Sequence, residues 1–405
     1  MPADYIQLKK SAQNYNTLFD QAALPSRNLK VSVIVPARDE AQNVQKALDA
    51  LRLQTDDKGT PLTPHLYEVL LLVNNCTDQT FEIAQNYQQK YPDFPLHLAK
   101  VALPPEKANI GFVRRLLMDE AYRRLCLITD NEGIIASTDS DTEVDCCWIF
   151  HIMREIAKGC HAVGGRILTH RNQSLSRLFH LRDVAYRSLL AQAEALLDPE
   201  EHDPWPRHYQ YFGASMAVTC AVYQQVGRLP QVPFLEDNAF HQALQRMDVR
   251  IRKTQAVKAY TSARMNGRVE IGFSEQLKKW SVYDQYGHKQ EAEQAQAWLI
   301  KFKSKHMLRQ CWNSYHNNSL YCKETLESIA SNLFLNPGYL HQEITGNLYF
   351  GQVWENVRKT FADGKWGKSW ELVPIADAIV ELRSFVNLHQ PKNTGKRSMA
   401  ELTTL

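Results

Sequence analysis

Residues 31–73 read VSVIVPARDEAQNVQKALDALRLQTDDKGTPLTPHLYEVLLLV, and their pattern decides the fold. Val31-Ser-Val-Ile-Val35 is a short apolar run stopped by Pro36, which predicts a strand. Residues 40–54 place Val44, Ala47, Leu48 and Leu51 at helical spacing, and 67–73 is a second apolar run of the parallel-strand type. Together they make one β-α-β unit. Outward from it, strands are expected at 96–101, 134–138, 162–168 and 214–218. Helices are expected near 78–90, 111–125, 144–158, 174–197, 221–226 and 238–247. Such alternation predicts a doubly wound α/β sheet, whose ligands gather at the carboxyl ends of the strands. From about 285 the pattern turns helical, at 289–312, 322–333, 349–361 and 374–387. The expected organisation is an arm (1–30), an α/β domain (31–284), a C-terminal helical extension (285–390) and a polar, mobile tail (391–405).

A chain of 405 residues has room for two or three domains, and 44% hydrophobic with 22% charged residues is a globular composition. The 47 basic and 44 acidic residues leave +3, which makes no electrostatic case for nucleic acid. The longest apolar runs are strand length, so no transmembrane span is expected. The opening MPADYIQLKK lacks a secretory pattern, and the expected location is the cytoplasm. Eight cysteines without a C-x-x-C pair read as reduced core thiols. A zinc site at Cys146-Cys147 is disfavoured, because adjacent residues on a helix point different ways and no second ligand pair follows.

Asp139-Ser140-Asp141 runs directly out of the strand at 134–138. Two carboxylates at i and i+2 there can converge on a hard cation and its diphosphate ligand. A turn or helix cap would use the same residues. The decision therefore rests on an ordered set: VSVIVPARDE, Asn75-Cys-Thr-Asp78, Asn109 to Gly111 with Arg114-Arg115, the strand ending in Asp139-Ser140-Asp141, Gly164-Gly165-Arg166, 213–217, Glu236-Asp237 and Gln276-Leu-Lys-Lys-Trp280. This set resembles the family 2 glycosyltransferases of GT-A fold, over about residues 31–280. The resemblance implies a GT-A, Rossmann-like sheet, a nucleotide-diphospho-sugar donor, Mn²⁺ or Mg²⁺ on Asp139 and Asp141, and a carboxylate base in the Glu236-Asp237 pair.

Each part has a physical reading beside that implication. Pro36, Arg38, Asp39 and Glu40 end the first strand and open a helix, where carboxylates can accept from ribose hydroxyls and base N–H groups, or simply cap. Asn74 and Asn75 stand where resembling enzymes carry an acidic pair that meets uracil. An amide both accepts and donates, which opens the identity of the base although a UDP-sugar is favoured. Asp78 follows as donor contact or helix cap. Arg114 or Arg115 could bond a diphosphate oxygen in bidentate geometry. The resemblance implies that Asp139 and Ser140 face the donor, with Gly213 and Ala214 leaving room for the backbone to pass beneath the sugar.

Asp237 can take the proton from an acceptor hydroxyl as it attacks the anomeric carbon, an in-line displacement that inverts configuration. Glu236 would position it, and an N-cap for the following helix is the structural alternative. Gln276, Lys279 and Trp280 resemble the Q-x-x-R-W motif, with lysine replacing arginine. Gln276 could bond near the pyrophosphate and Trp280 stack on an acceptor sugar, or the helix could bury Trp280. Processivity is not expected without membrane helices. Arg264 and Arg268 could reach the phosphates or lie in a solvated turn. The loop 202–213, with Trp205, His208, Tyr209 and Tyr211, suits an acceptor surface or a docked loop.

A retaining transferase, or a non-catalytic protein that binds nucleotide or a partner, stays open. A nucleotidyltransferase does not, because PARDEAQN contains no glycine for a phosphate loop. The acceptor is an unidentified hydroxyl compound. The helical extension could shape its site, dimerise, or contact a membrane surface.

Overall fold

Strand β1 (Val31–Ala37) sends alternate side chains to opposite faces of the sheet, and both faces are covered. In a computed structural model describing residues 18–20, 22–63, 65–129, 131–169, 177–262, 273–286, 288–319 and 323–390, every residue of β1 and of β2 (Tyr67–Asn74) is buried. Val31, Val33 and Val35, with Val69, Leu71 and Val73 of β2, pack against Val44, Leu48 and Leu51 of the Val44–Arg52 helix and Trp148, Ile149 and Ile152 of the Trp148–Ala157 helix. Ile34, Leu70 and Leu72 face the other way, onto Val113, Leu117 and Met118 of the Ile110–Cys126 helix. Strands sandwiched in this way must be apolar on both faces, which is why they read as continuous hydrophobic runs.

The remaining strands of this sheet are β3 (Leu96–Val101), β4 (Ile134–Ser137), β5 (Thr142–Val144), β6 (Ala162–Thr169), β7 (Met216–Thr219) and β8 (Ile251–Thr261), and its order is β3-β2-β1-β4-β7-β6-β8-β5. The first four are parallel, β7 runs antiparallel to both β4 and β6, β6 and β8 are parallel, and β5 is antiparallel to β8. The doubly wound α/β class expected from the sequence is present, with a mixed half added. Two strands of this sheet had no strand expectation, nor did the antiparallel pair Glu291–Glu293 and Leu372–Pro374, the first of which lies where a helix was expected from 289. The helix expected over 144–158 starts at Trp148, and Val144 instead ends β5; no strand was expected at 142–144 or over β8.

Beyond the sheet, the helices Ala295–His316, Lys323–Leu333, Pro337–Gly346, Phe350–Asp363, Trp366–Ser369 and Ile375–His389 build two apolar cores. One of these cores takes in Tyr186 and Ala193 of the Arg177–Leu197 helix. The C-terminal helices also grip the Glu236–Arg246 helix at its far end. Asp248 accepts from Phe350 N (2.6 Å) and Gly351 N (2.8 Å), and Arg246 forms an ion pair with Glu355. A Cβ on Gly351 would lie 1.8 Å from the Gln245 carbonyl oxygen, so only glycine permits this approach. Among the described residues no helix is long and apolar enough to cross a membrane. The first seventeen residues, the Arg264 and Arg268 loop and the expected tail 391–405 lie outside the described residues.

At the edge remote from the strand ends, Glu68 is 3% exposed and pairs with Arg124 (2.6 Å) and His97 (3.2 Å). Burial alone would raise its carboxyl, but these partners outweigh burial and hold it down at about 2, against an ordinary 4.5. A carboxyl depressed by folding stabilises the native state above its unfolded value and loses that contribution as pH falls toward the folded one. Stability measured by urea unfolding is therefore expected to drop from pH 4.5 toward about 2, with Glu68→Gln flattening that slope.

Candidate active site

The carboxyl end of β4 delivers Ser137, Thr138 and the Asp139-Ser140-Asp141 turn, and β5 begins at Thr142. Opposite them the Ile110–Cys126 helix starts at Asn109, whose side chain caps Phe112 N at 2.9 Å. One turn further, Arg114 passes beneath the strand ends with only 3% of its side chain exposed. Its Nε donates to Glu236 Oε1 (2.9 Å), Nη1 to Ser137 Oγ (2.6 Å) and the Gly213 carbonyl (3.1 Å), and Nη2 to Asp139 Oδ1 (2.9 Å). The planar fork of a guanidinium suits this work, since its donors leave in fixed directions and keep their charge when buried.

Gly213 joins the same unit from the other side. Its carbonyl also accepts from Ser137 Oγ at 2.8 Å, and its N–H donates to Asp237 Oδ2 at 2.9 Å. A Cβ at Gly213 would lie 2.5 Å from the Arg114 guanidinium carbon, which explains the glycine. Leu235, in the left-handed region at φ 55°, turns the chain so that Glu236 and Asp237 open the next helix. Glu236 is buried and its carboxyl is pushed up by burial; Arg114 opposes the shift and Asp237 adds to it. Asp237 is half-buried and receives Gly213 N and its neighbour's Asn238 N (2.7 Å). Ala214 is buried behind Gly213.

The loops after β1 and β2 are sewn together. Asp39 and Asn75 both adopt left-handed backbone, at φ 51° and 49°. Asp39 Oδ1 accepts from Thr77 N (2.7 Å), Glu40 N donates to Thr80 Oγ1 (2.7 Å), and Ala41 N donates to Asp78 Oδ2 (3.0 Å). Pro36, Glu40 and Asn74 are buried, while Arg38 is exposed and donates to the Ala108 carbonyl at 3.3 Å.

Four expectations need correction. Arg114 is committed to the protein's own carboxylates and carbonyl instead of a diphosphate. Arg115 faces another way, pairing with Asp119 (2.7 Å) and the Leu229 carbonyl. Asn75 clasps the chain, with Nδ2 donating to the Leu103 carbonyl (2.8 Å) and Oδ1 accepting from Leu103 N (3.1 Å), so its amide is not presented to a base. Trp280 is 5% exposed against Phe179 and 6.0 Å from the His180 ring, so its faces are covered and no sugar can stack there. Gln276 and Lys279 are exposed on the same Phe273–Gln285 helix.

The loop 202–213 is docked. Asp203, Arg207, His208 and Tyr211 are buried, Asp203 pairs with Arg252 (2.9 Å), and burial pushes His208 down to about 3; Trp205 stays exposed. Ser137 is a site residue that sequence reasoning missed, and a strand serine carries no signal for such a role.

The family described as Glycosyl transferase family 2 matches residues 32–208, the stretch that carries β1 to β6 and the Asp139-Ser140-Asp141 turn. Residues 32–208 are a family 2 glycosyltransferase domain. The matched stretch supplies six strands of the central sheet of eight mostly parallel strands, and β7 and β8 follow it in the chain. Over 154 residues the chain is 25% identical to the dolichyl-phosphate beta-glucosyltransferase of Dictyostelium discoideum, covering 38% of this chain and 44% of that one. Over 66 residues it is 39% identical to the glycosyltransferase AglE of Haloferax volcanii, covering 16% and 20%. The matches thus span less than half the length of either relative. Among solved structures, S. aureus TarS 1–349 in complex with UDP aligns at TM-score 0.41 and 14% identity, covering 89% of this chain and 92% of that one. The mannosyltransferase PcManGT of Pyrobaculum calidifontis, in complex with GDP-Man and Mn²⁺, aligns at TM-score 0.37 and 14% identity, covering 95% and 91%.

Proposed function

We propose that the chain transfers a sugar from a nucleotide-diphospho-sugar to an acceptor hydroxyl with inversion, and that Asp237 is the general base. The observation that carries this reading is the single buried guanidinium of Arg114, which ties Asp139 after β4 to Glu236 beside Asp237. Donor end and base end are thereby one rigid unit. Asp237 itself keeps a partly exposed carboxylate, oriented by Gly213 N–H, that can receive a proton. Glu236 is a positioning residue, since Arg114 occupies its carboxylate.

The residues after β4 fit a divalent cation. Asp139 spends one oxygen on Arg114 and its side chain is 34% exposed, and Asp141 adds a second half-buried carboxylate two residues on. Hard oxygen donors of this kind suit Mn²⁺ or Mg²⁺. Bound there, the ion would neutralise charge on the departing nucleoside diphosphate.

The test is a thermal-shift series with UDP, GDP, ADP, CDP and dTDP, each with and without Mn²⁺. A ligand bound only by the native state raises stability by mass action, about 2.7 kcal/mol at a hundredfold excess over Kd. One nucleotide is expected to raise the Tm in a Mn²⁺-dependent manner, and Asp141→Ala to abolish the Mn²⁺-dependent part. Asp141 is the cleaner site, because Asp139→Ala also unpairs Arg114. No shift with any nucleotide in folded protein would overturn the donor reading.

A further inference from the structure

Cys146 and Cys147 do not lie in a helix. With the helix starting at Trp148, Asp145 to Cys147 form the turn that leads into it, where Asp145 Oδ1 accepts from Cys147 N (3.1 Å) and Trp148 N donates to the Asp145 carbonyl (3.0 Å). The turn reverses the objection that adjacent cysteines diverge. Their Sγ atoms are 3.8 Å apart, Asp145 Oδ1 is 3.9 Å from Cys146 Sγ, and one ligand atom from each of the three residues lies within 4.8 Å of the others. The segment at 55–61 closes over them. Thr55 N donates to the Cys146 carbonyl (2.7 Å), and the Asp56 carbonyl oxygen stands 3.2 Å from Cys147 Sγ.

The Sγ–Sγ spacing of 3.8 Å is that of a coordination sphere, and the sulfur–oxygen spacings of 3.9 and 3.2 Å lie within about 0.4 Å of one. Zinc–sulfur bonds of about 2.3 Å at tetrahedral angles hold two thiolates about 3.8 Å apart, and a thiolate and an oxygen about 3.6 Å apart.

We propose that Asp145, Cys146 and Cys147 form a binding site for one thiophilic divalent cation of the Zn²⁺ class, with the Asp56 carbonyl in reach as a fourth ligand. The two thiols lose their protons to solvent as the metal–sulfur bonds form. Cys146 is exposed and gives the ion its entry. The bound ion would clip the 55–61 segment to the start of the Trp148–Ala157 helix. It is separate from the Mn²⁺ or Mg²⁺ proposed at Asp139 and Asp141, which thiols would not favour.

The experiment is an anaerobic Co²⁺ titration of the reduced full chain. One equivalent is expected to give the near-ultraviolet sulfur-to-cobalt charge-transfer band and the intense visible absorption of a tetrahedral site, both bleached by Zn²⁺. The Cys146→Ser/Cys147→Ser variant should lose both signals, and Cys126→Ser, which alters another accessible thiol, should keep them. Zn²⁺ should also raise the Tm of the parent and leave that of the double variant unmoved. If the double variant does not fold, Cys146→Ser alone serves, since its exposed side chain carries little packing. A chain that shows no thiolate band at saturating Co²⁺, or a band that survives loss of Cys146, overturns the proposal.

Discussion

Arg114→Ala is expected to lose about 3–5 kcal/mol of stability, because it leaves Glu236, which is 3% exposed, and one oxygen of Asp139 without their cation. Denaturant unfolding at neutral pH measures the loss. The pH dependence carries a second signature. Burial already raises the Glu236 carboxyl, and removing Arg114 removes the opposing attraction. A carboxyl whose folded pKa lies above its unfolded value costs stability as pH rises through that interval, since the native state then holds the proton more tightly. The deficit of Arg114→Ala should therefore shrink as the pH is lowered toward the ordinary carboxylate range. Adding Glu236→Gln should recover part of it at neutral pH, whereas a deficit independent of pH and of Glu236 would mean that lost packing, and not the unpaired carboxylate, is responsible.

Asp237→Asn is expected to lower kcat by about 10²–10⁴-fold, the range a general base contributes, with stability changed by no more than ~1 kcal/mol. The amide oxygen can still accept from Gly213 N–H, which donates at 2.9 Å in the parent, so the main chain keeps its place while the proton acceptor is gone. The Mn²⁺-dependent nucleotide shift should persist in this variant. Steady-state turnover and thermal shift on the same preparation separate the two readouts. Turnover within a few-fold of the parent would remove Asp237 from the role of base.

The parts of this architecture legible in the sequence are those whose neighbours are close in the chain or whose chemistry is repetitive. Strands β1 and β2 are covered on both faces and announce themselves as apolar runs. Strand β8, IRKTQAVKAYT, reads as polar because Arg252 and Lys253 are neutralised by Asp203, about 50 residues earlier and fully buried in the docked loop. A pattern search along the chain cannot know that this carboxylate will be there. The Pro337–Gly346 helix was hidden in the same way behind what reads as a break. Asn336 caps Gly338 N at 2.7 Å and Pro337 takes the first turn, so the break is the start of a helix.

The site divides along the same line. The turn after β4 and the pair at the start of the Glu236–Arg246 helix stand out because carboxylates at strand ends and helix starts are local features. The assignment of Arg114 and Arg115 did not, since adjacent side chains on a helix leave in different directions. The partner that decides for Arg114, Glu236, is 122 positions away. Trp280 was equally open until Phe179 and His180 covered it from a helix about a hundred residues earlier.

The Glu236–Arg246 helix is held at both ends by unlike things. Its first turn belongs to the Arg114 unit, and its last turn is clamped by Asp248, Gly351 and the Arg246–Glu355 pair. Eleven helical residues make a strut of roughly 16 Å, and an α-helix transmits axial and rotational displacement with little compression. The C-terminal helices therefore act on the carboxylate end as a footing acts on a post. A shift where Phe350–Asp363 seats against Gln245 is expected to carry along this helix to the Asp237 carboxylate, which the proposed reaction needs in line with an incoming hydroxyl. The placing of the Asp237 carboxylate, the proposed base, thus depends on C-terminal helices more than a hundred residues further along the chain.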